Sequence, residues 1–152
     1  MIQKAERIIE AYQKVKPAGC GVIAMDGRAA AGKTTLAEEL AVTLGGAVVH
    51  MDDFFLPGEL RTPERLAAPG GNVHAERFVE EVLPYLRRGE AFRYRRFDCH
   101  RMDYNGWTEI PPVPVIIVEG AYSQHPRFGG YADLTVFCDI APEEQKRRIT
   151  AR

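Results

Sequence analysis

The sequence predicts an α/β fold: a three-layer sandwich in which helices flank a mostly parallel central sheet, built as one domain over residues 1–152. Three observations predict it. Short apolar or β-branched runs alternate with segments of helical periodicity, the order that right-handed crossovers turn into a parallel sheet. A glycine-rich phosphate-binding motif lies between the first such run and the helix after it. Acidic residues follow two later runs, at the carboxyl ends of strands, where sheets of this kind bind ligands.

Each element has its own signal. Ile2, Ala5, Ile8, Ile9, Tyr12 and Val15 make the apolar stripe of an amphipathic helix over 2–15, and Pro17-Ala18-Gly19 breaks it. Cys20 to Met25 is a short apolar run suited to a buried parallel strand. Leu36, Ala37, Leu40, Ala41 and Leu44 give the next helix, which Gly45-Gly46 stops. Ala47 to Met51 reads as the second strand. Residues 56–74 hold Pro57, Gly58, Pro63, Pro69, Gly70 and Gly71 and read as an irregular loop region, of a length that is usually functional. Helix returns at about 75–88, with Phe78, Val79, Val82, Leu83 and Leu86 inward, and a short extended stretch follows at about 91–97. Residues 98–112 read as irregular, closing with Pro111-Pro112. Val113 to Glu119 and Leu134 to Ile140 are strands, and Pro142 opens a helix that runs to Arg152.

Gly27-Arg28-Ala29-Ala30-Ala31-Gly32-Lys33-Thr34 fits G-x-x-x-x-G-K-[ST] without a mismatch. Its four fixed positions recur by accident in about one chain in 200 of this length, and the strand and helix on either side lower those odds. Gly27 and Gly32 allow backbone angles closed to other residues. Successive N–H groups at a helix start can then surround phosphate oxygens. Lys33 supplies charge to the β and γ phosphates, and the Thr34 hydroxyl suits Mg²⁺. The expected ligand is therefore ATP with Mg²⁺, bound by Gly27, Ala30, Ala31, Gly32, Lys33, Thr34 and Thr35. The bland alternative is a Gly/Ala-rich turn that binds nothing.

Composition narrows the class. The hydrophobic fraction is 45% and the formal net charge −1, so a core is affordable and no global field attracts nucleic acid or a membrane. No apolar run has the length of a membrane span, and the N-terminus lacks a signal-peptide pattern. The three cysteines, Cys20, Cys99 and Cys138, are widely spaced without a Cys-x-x-Cys, which points away from disulfides and zinc and toward a reducing, cytoplasmic setting. Cys20 and Cys138 lie in apolar runs and read as buried thiols.

Asp52 and Asp53 directly follow the second strand. Phosphoryl transfer to an alcohol needs a carboxylate that orients the hydroxyl and takes its proton, and at least one of this pair suits that task. Solvated turn residues are the bland reading. Glu119 ends Val115-Ile116-Ile117-Val118 and is placed to organise Mg²⁺ or water, unless it is an ordinary strand-end acid. Arg87, Arg88, Arg93, Arg95, Arg96 and Arg101 cluster within fifteen positions. They read first as a solvated helix end with a charged edge strand, and second as a site for an anionic acceptor.

IAMDGRAAAGKTTLA, VVHMDDFFLP, GGNVHAERF, RRFDCHR, PVIIVEGAYSQHP and YADLTVFCDIAPEEQKRRITAR, in this order, resemble the uridine kinase-like branch of the P-loop kinases, related to phosphoribulokinase. The resemblance covers most of residues 22–152. The phosphate loop is common to many NTPases; the MDDFF and VEGAYS segments are more specific. The resemblance implies a P-loop NTPase fold and transfer of the ATP γ-phosphate to the 5′-hydroxyl of a nucleoside, uridine or cytidine. It implies that Asp52 is the catalytic aspartate, with Asp53 a less constrained neighbour and Phe55 beside the acceptor. It places Glu119 at the family's acidic position after the fourth strand. It puts Phe97, Asp98 and His100 near the nucleoside base, and Arg147, Arg148 and Arg152 on a lid helix at 142–152, where Arg147 and Arg152 approach the transferred phosphate.

Two departures from the family pattern stand out. Asn72-Val73-His74 occupies the place of an acid that holds the ribose hydroxyls; His74 cannot be the same charged acceptor at neutral pH, but its neutral imidazole can accept one hydrogen bond and is a substrate-binding candidate, against the bland reading of an exposed loop or N-cap-adjacent histidine. The chain also ends at Arg152 without a helix cap or stop signal, which predicts truncation within the lid helix. The expected partner is a small-molecule acceptor, with nucleic acid and membranes excluded and a homo-oligomer left open. Two rival readings remain: a nucleotide-binding module or slow NTPase working with a partner, and a kinase for a phosphorylated or non-nucleoside acceptor.

Overall fold

A computed structural model of the chain describes residues 2–15, 19–27 and 33–138. In chain order its helices are α1 (Ile2–Gln13), α2 (Lys33–Leu44), α3 (Pro63–Ala67) and α4 (Ala75–Glu81). Its strands are β1 (Gly21–Gly27), β2 (Ala47–His50), β3 (Phe92–Asp98), β4 (Asp103–Ile110), β5 (Val115–Glu119) and β6 (Leu134–Cys138). Four of the strands make one parallel sheet in the spatial order β2-β5-β1-β6. Strands β3 and β4 pair separately as an antiparallel ribbon.

Side chains alternate between the faces of a strand, and β5 shows what this does. Val115 and Ile117 join a core with Ile23, Met25, Ile8, Leu36 and Leu40, under α1 and α2. Ile116 and Val118 join the opposite core with Val22, Val49, Phe54, Phe78 and Tyr94. That second core is covered by α4, by a 3-10 turn at Met51–Phe54 and by the root of the ribbon. Burial on both faces explains why β1 and β5 are continuously apolar. The result is the expected three-layer sandwich around a parallel sheet. No described helix is long and apolar enough to cross a membrane.

Residues 98–112 are not irregular, because β4 fills most of them. Its side chains are mostly exposed, so it carries no apolar alternation for sequence to show. Asn105-Gly106 looks like a turn but sits inside the strand. The pairing jumps from Arg95 opposite Trp107 to Phe97 opposite Tyr104, leaving a bulge at Asn105-Gly106. Gly106 takes φ +75°, the conformation that such a bulge requires. Arg96 spans the bulge, donating from Nε to the Asn105 carbonyl at 3.1 Å and from Nη1 to the Trp107 carbonyl and the Thr108 hydroxyl.

The helix expected over 75–88 is also shorter. It ends at Glu81 and gives way to a 3-10 turn at Leu83–Tyr85. Pro84 lacks the N–H that would continue the helix. Phe78, Val82 and Leu86 are buried as expected, whereas Val79 is exposed.

The 56–74 region contains a 3-10 turn at Gly58–Leu60 and the short α3. Thr62 caps α3 by accepting from the Arg65 N–H at 3.2 Å, with Pro63 in its first turn. The Arg65 guanidinium grips both oxygens of Glu76 at 2.9 and 2.7 Å and donates to the Val73 carbonyl, so the loop is pinned to α4. This Arg65 contact holds the Glu76 carboxyl far below its ordinary value, at about 2. A depressed pKa stabilises the fold above the unfolded value and is lost as pH falls through the folded one. Glu76→Gln should therefore lower the unfolding free energy from urea titration modestly at pH 6, by under ~1 kcal/mol for so exposed a pair. The gap to the parent should close between about pH 4.5 and 2, a range set by the shift of Glu76. A gap independent of pH would contradict this.

Candidate active site

The parallel register sets the site. Glu119 at the end of β5 lies beside Met25 of β1 on one side and His50 of β2 on the other. The carboxyl ends of three strands thus meet at one acid, itself 3% exposed. Its Oε1 accepts from the Thr34 hydroxyl at 3.3 Å, from the first turn of α2. The same oxygen contacts His50 Nδ1 at 2.6 Å. This hydrogen bond raises the His50 pKa against the opposing effect of burial, favouring the imidazolium that balances Glu119. Thr34 and Glu119, expected from sequence to serve one metal, are therefore in contact.

A cleft of about 580 Å³ is lined by residues that follow β2 and β5, among them Met51, Asp52, Ala121 and Tyr122. Asp52 and Asp53 line it from the 3-10 turn after β2, Phe97, Asp98 and His100 from the ribbon, and Tyr122 from the segment after β5. Asp52 is exposed to the cleft, and no hydrogen bond engages its side chain among the described residues. Asp53 is the more tightly held of the pair. The hydroxyl of fully buried Tyr94 donates to its Oδ2 at 2.8 Å, and Arg77 donates to its backbone carbonyl. Burial raises the Asp53 pKa, with the Tyr94 hydrogen bond opposing. Burial and the Asp53 charge together push the Tyr94 phenol well above its ordinary value, so it stays a donor. Phe55 and Phe97 face each other nearly parallel, 6.5 Å apart at an interplanar angle of 12°. Asp98 also caps the ribbon's tip, accepting from the His100 N–H at 2.8 Å.

No protein-family model matches the chain. A solved structure described as that of a possible uridine kinase from Bacillus stearothermophilus superimposes with a TM-score of 0.76 at 22% identity, over 95% of this chain and 83% of that one. That of a candidate fructose transport system kinase from Silicibacter sp. TM1040 superimposes with a TM-score of 0.78 at 25% identity, over 97% and 80%. The chain has the fold of the uridine kinase-like P-loop kinases. A thymidylate kinase from Xanthomonas euvesicatoria pv. vesicatoria is 29% identical over 153 residues. The match covers 91% of this chain but only 64% of the relative's length.

Within this P-loop kinase fold, Asp52, Phe55, Phe97, Asp98 and His100 all line one cleft. His74 does not line it. It is the N-cap residue of α4, its N–H donating to the Phe54 carbonyl at 2.7 Å, and burial lowers its pKa. Asn72 and Val73 face the cleft in its place. Thr35 lies in the first turn of α2 and borders a groove between α1 and α2. Arg28, Ala29, Ala30, Ala31, Gly32, the Lys33 side chain, Arg147, Arg148, Arg152 and the 142–152 helix lie outside the described residues.

The basic cluster disperses. Arg87 pairs with Asp133, Arg95 with Glu81, and Arg93 stacks on Trp107. Only Arg96 of the six reaches the cleft, and its guanidinium is largely committed to β4. This favours the structural reading of the cluster.

Three site residues escaped the sequence reading. His50 is visible as a partner of Glu119 only once β2 and β5 are in register. Tyr94 and Arg77 act on the Asp53 backbone and side chain from outside the motif. At the other end, Gly27 has φ +144°, and a Cβ there would lie 1.9 Å from the Cys138 carbonyl oxygen. Gly27→Ala is expected to abolish MgADP binding in calorimetry; binding within threefold of the parent would refute that need for glycine.

Proposed function

We propose that the chain is an ATP-dependent phosphotransferase acting on a hydroxyl of a small acceptor, first of all the 5′-hydroxyl of uridine or cytidine. The observation that carries this reading is the exposed Asp52 carboxylate in a cleft lined by residues just beyond β2 and β5, the strands whose ends bear His50 and Glu119. An acceptor hydroxyl in the cleft would give its proton to Asp52 as its oxygen attacks the γ phosphorus. The bond from that phosphorus to the β–γ bridging oxygen breaks, and ADP leaves. Gly27 to Thr35 would seat the triphosphate, and Lys33 would meet charge on the transferred group.

Thr34 and Glu119 fit Mg²⁺, since both offer hard oxygen and the ion takes its remaining ligands from water and phosphate. When bound it neutralises charge on the β and γ phosphates. The His50 contact at 2.6 Å orients the Glu119 carboxylate for that role.

The cleft's chemistry supports an uncharged acceptor with a planar ring. Asp52, Asp53 and Asp98 line it against a single arginine, Arg96. The Phe55 and Phe97 faces suit stacking with a base. A phosphorylated acceptor is the second reading, resting on Arg96 alone.

ADP release from MgATP over a panel of uridine, cytidine, pantothenate, nicotinamide riboside and sugar phosphates tests the proposal. Acceleration by a neutral nucleoside supports it. ADP release indifferent to every small acceptor would sink it in favour of a partner-driven NTPase.

A further inference from the structure

Asp26, the residue before the phosphate loop's first glycine, takes no part in the reaction just described. Its carboxylate nonetheless binds two separate parts of the site. Oδ1 accepts from the Gly27 N–H at 2.7 Å and from the Tyr122 N–H at 3.1 Å. Oδ2 accepts from the Gln124 N–H at 3.3 Å. The Gln124 side-chain amide donates in turn to the carbonyls of Ala24 and Val136, fastening the segment to β1 and β6.

Tyr122 needs such a hold. Its φ is +65°, a conformation that a residue with a bulky side chain avoids unless its surroundings impose it. Its ring lines the acceptor cleft and packs over Gly70 of the 56–74 loop.

We propose that Asp26 is a positioning residue that sets Tyr122 as a wall of the acceptor cleft and makes that wall responsive to the phosphate loop. The reason is the shared atom. Gly27 N–H, at the mouth of the loop, and Tyr122 N–H, at the cleft, share one acceptor oxygen. A phosphate that draws the loop's amides toward itself changes the hold on Tyr122. This inference rests on the reading of Gly27 to Thr35 as the nucleotide site.

The test uses a fluorescent reporter and needs no turnover. The chain has one tryptophan, Trp107, so Trp107→Phe with Tyr122→Trp leaves a single emitter at the wall. MgADP is titrated while emission and calorimetric affinity are followed in parallel. With Asp26 present, emission should shift on binding. Asp26→Ala should remove at least about four-fifths of that shift while MgADP affinity changes less than about threefold, as expected for bonds that hold the wall rather than the ligand.

Asp26→Asn keeps one acceptor oxygen for Gly27 and Tyr122 but sets an amide against the Gln124 N–H, so it should retain a reduced shift. If the alanine variant does not fold, the asparagine variant decides: an undiminished shift overturns the proposal. A full shift in Asp26→Ala, or none when Asp26 is present and MgADP binds, also overturns it. Absence of MgADP binding to the parent overturns the nucleotide-site reading, and this inference falls with it.

Discussion

Asp52→Asn is expected to keep MgATP binding and lose roughly 10²–10⁴-fold in transfer to the acceptor, the span typical of a missing general base. The substitution is nearly isosteric and removes only charge and basicity. Asp52 is exposed in the cleft and its side chain supports no described hydrogen bond, so the fold should not register the change. Nucleotide affinity should be spared because the proposed phosphate site, Gly27 to Thr35, does not include Asp52.

The neighbouring acid gives the control. Asp53→Asn keeps an oxygen able to accept from Tyr94, so its effect on transfer should be at least tenfold smaller, in keeping with a neutral-for-charged hydrogen bond. Calorimetry with MgATP and acceptor-dependent ADP release, run on both variants, separate the roles. Equal transfer by parent and Asp52→Asn would remove Asp52 from the chemistry. A larger loss for Asp53→Asn would move the base to Asp53.

The frame of the fold was legible because its signals are local. β1 and β5 are buried on both faces and so are apolar throughout, and α2 has its apolar stripe and its glycine stop. Gly27, Thr34 and the strand-end acids then fall at the carboxyl ends of the strands by topology alone. β4 was not legible, because it packs little and its Gly106 serves a bulge that imitates a turn. The cleft was half legible. Asp52, Phe55, Phe97, Asp98 and His100 came from motif segments, but what holds them comes from side chains distant in sequence. Tyr94 reaches Asp53 across 41 positions and His50 reaches Glu119 across 69. Such pairings follow from strand register, which periodicity does not supply. For His74 the sequence allowed a ribose contact or a place beside a helix start; its backbone begins α4 and it does not line the cleft.

Arg77 carries the second large effect. A charged residue on a short helix reads as solvated, yet Arg77 is 3% exposed. The guanidinium lies 4.2 Å from the Phe54 ring centroid, donates to the carbonyls of Arg95 and Asp53, and pairs with Glu81 at 3.3 Å. It bridges β3, α4 and the turn that displays Asp52. Burial lowers its pKa, with Glu81 opposing, but a guanidinium stays charged across the physiological range.

Arg77→Ala leaves two carbonyls without their donor and a hole beside Phe54, and should cost about 3 kcal/mol, near the low end for breaking a buried ion pair because Arg95 still serves Glu81. Against a total of roughly 5–15 kcal/mol for a domain, this is a large fraction. Arg77→Lys should recover little, since one ammonium cannot span acceptors placed around a planar fork. Urea unfolding should show a lower midpoint with an unchanged slope. Acceptor-dependent transfer should fall in Arg77→Lys even where the chain is still folded, because the Met51–Phe54 turn loses its anchor and Asp52 its placement. An unfolding free energy within about 0.5 kcal/mol of the parent for Arg77→Ala, the range of ordinary surface changes, would show that the bridge is not what holds the turn.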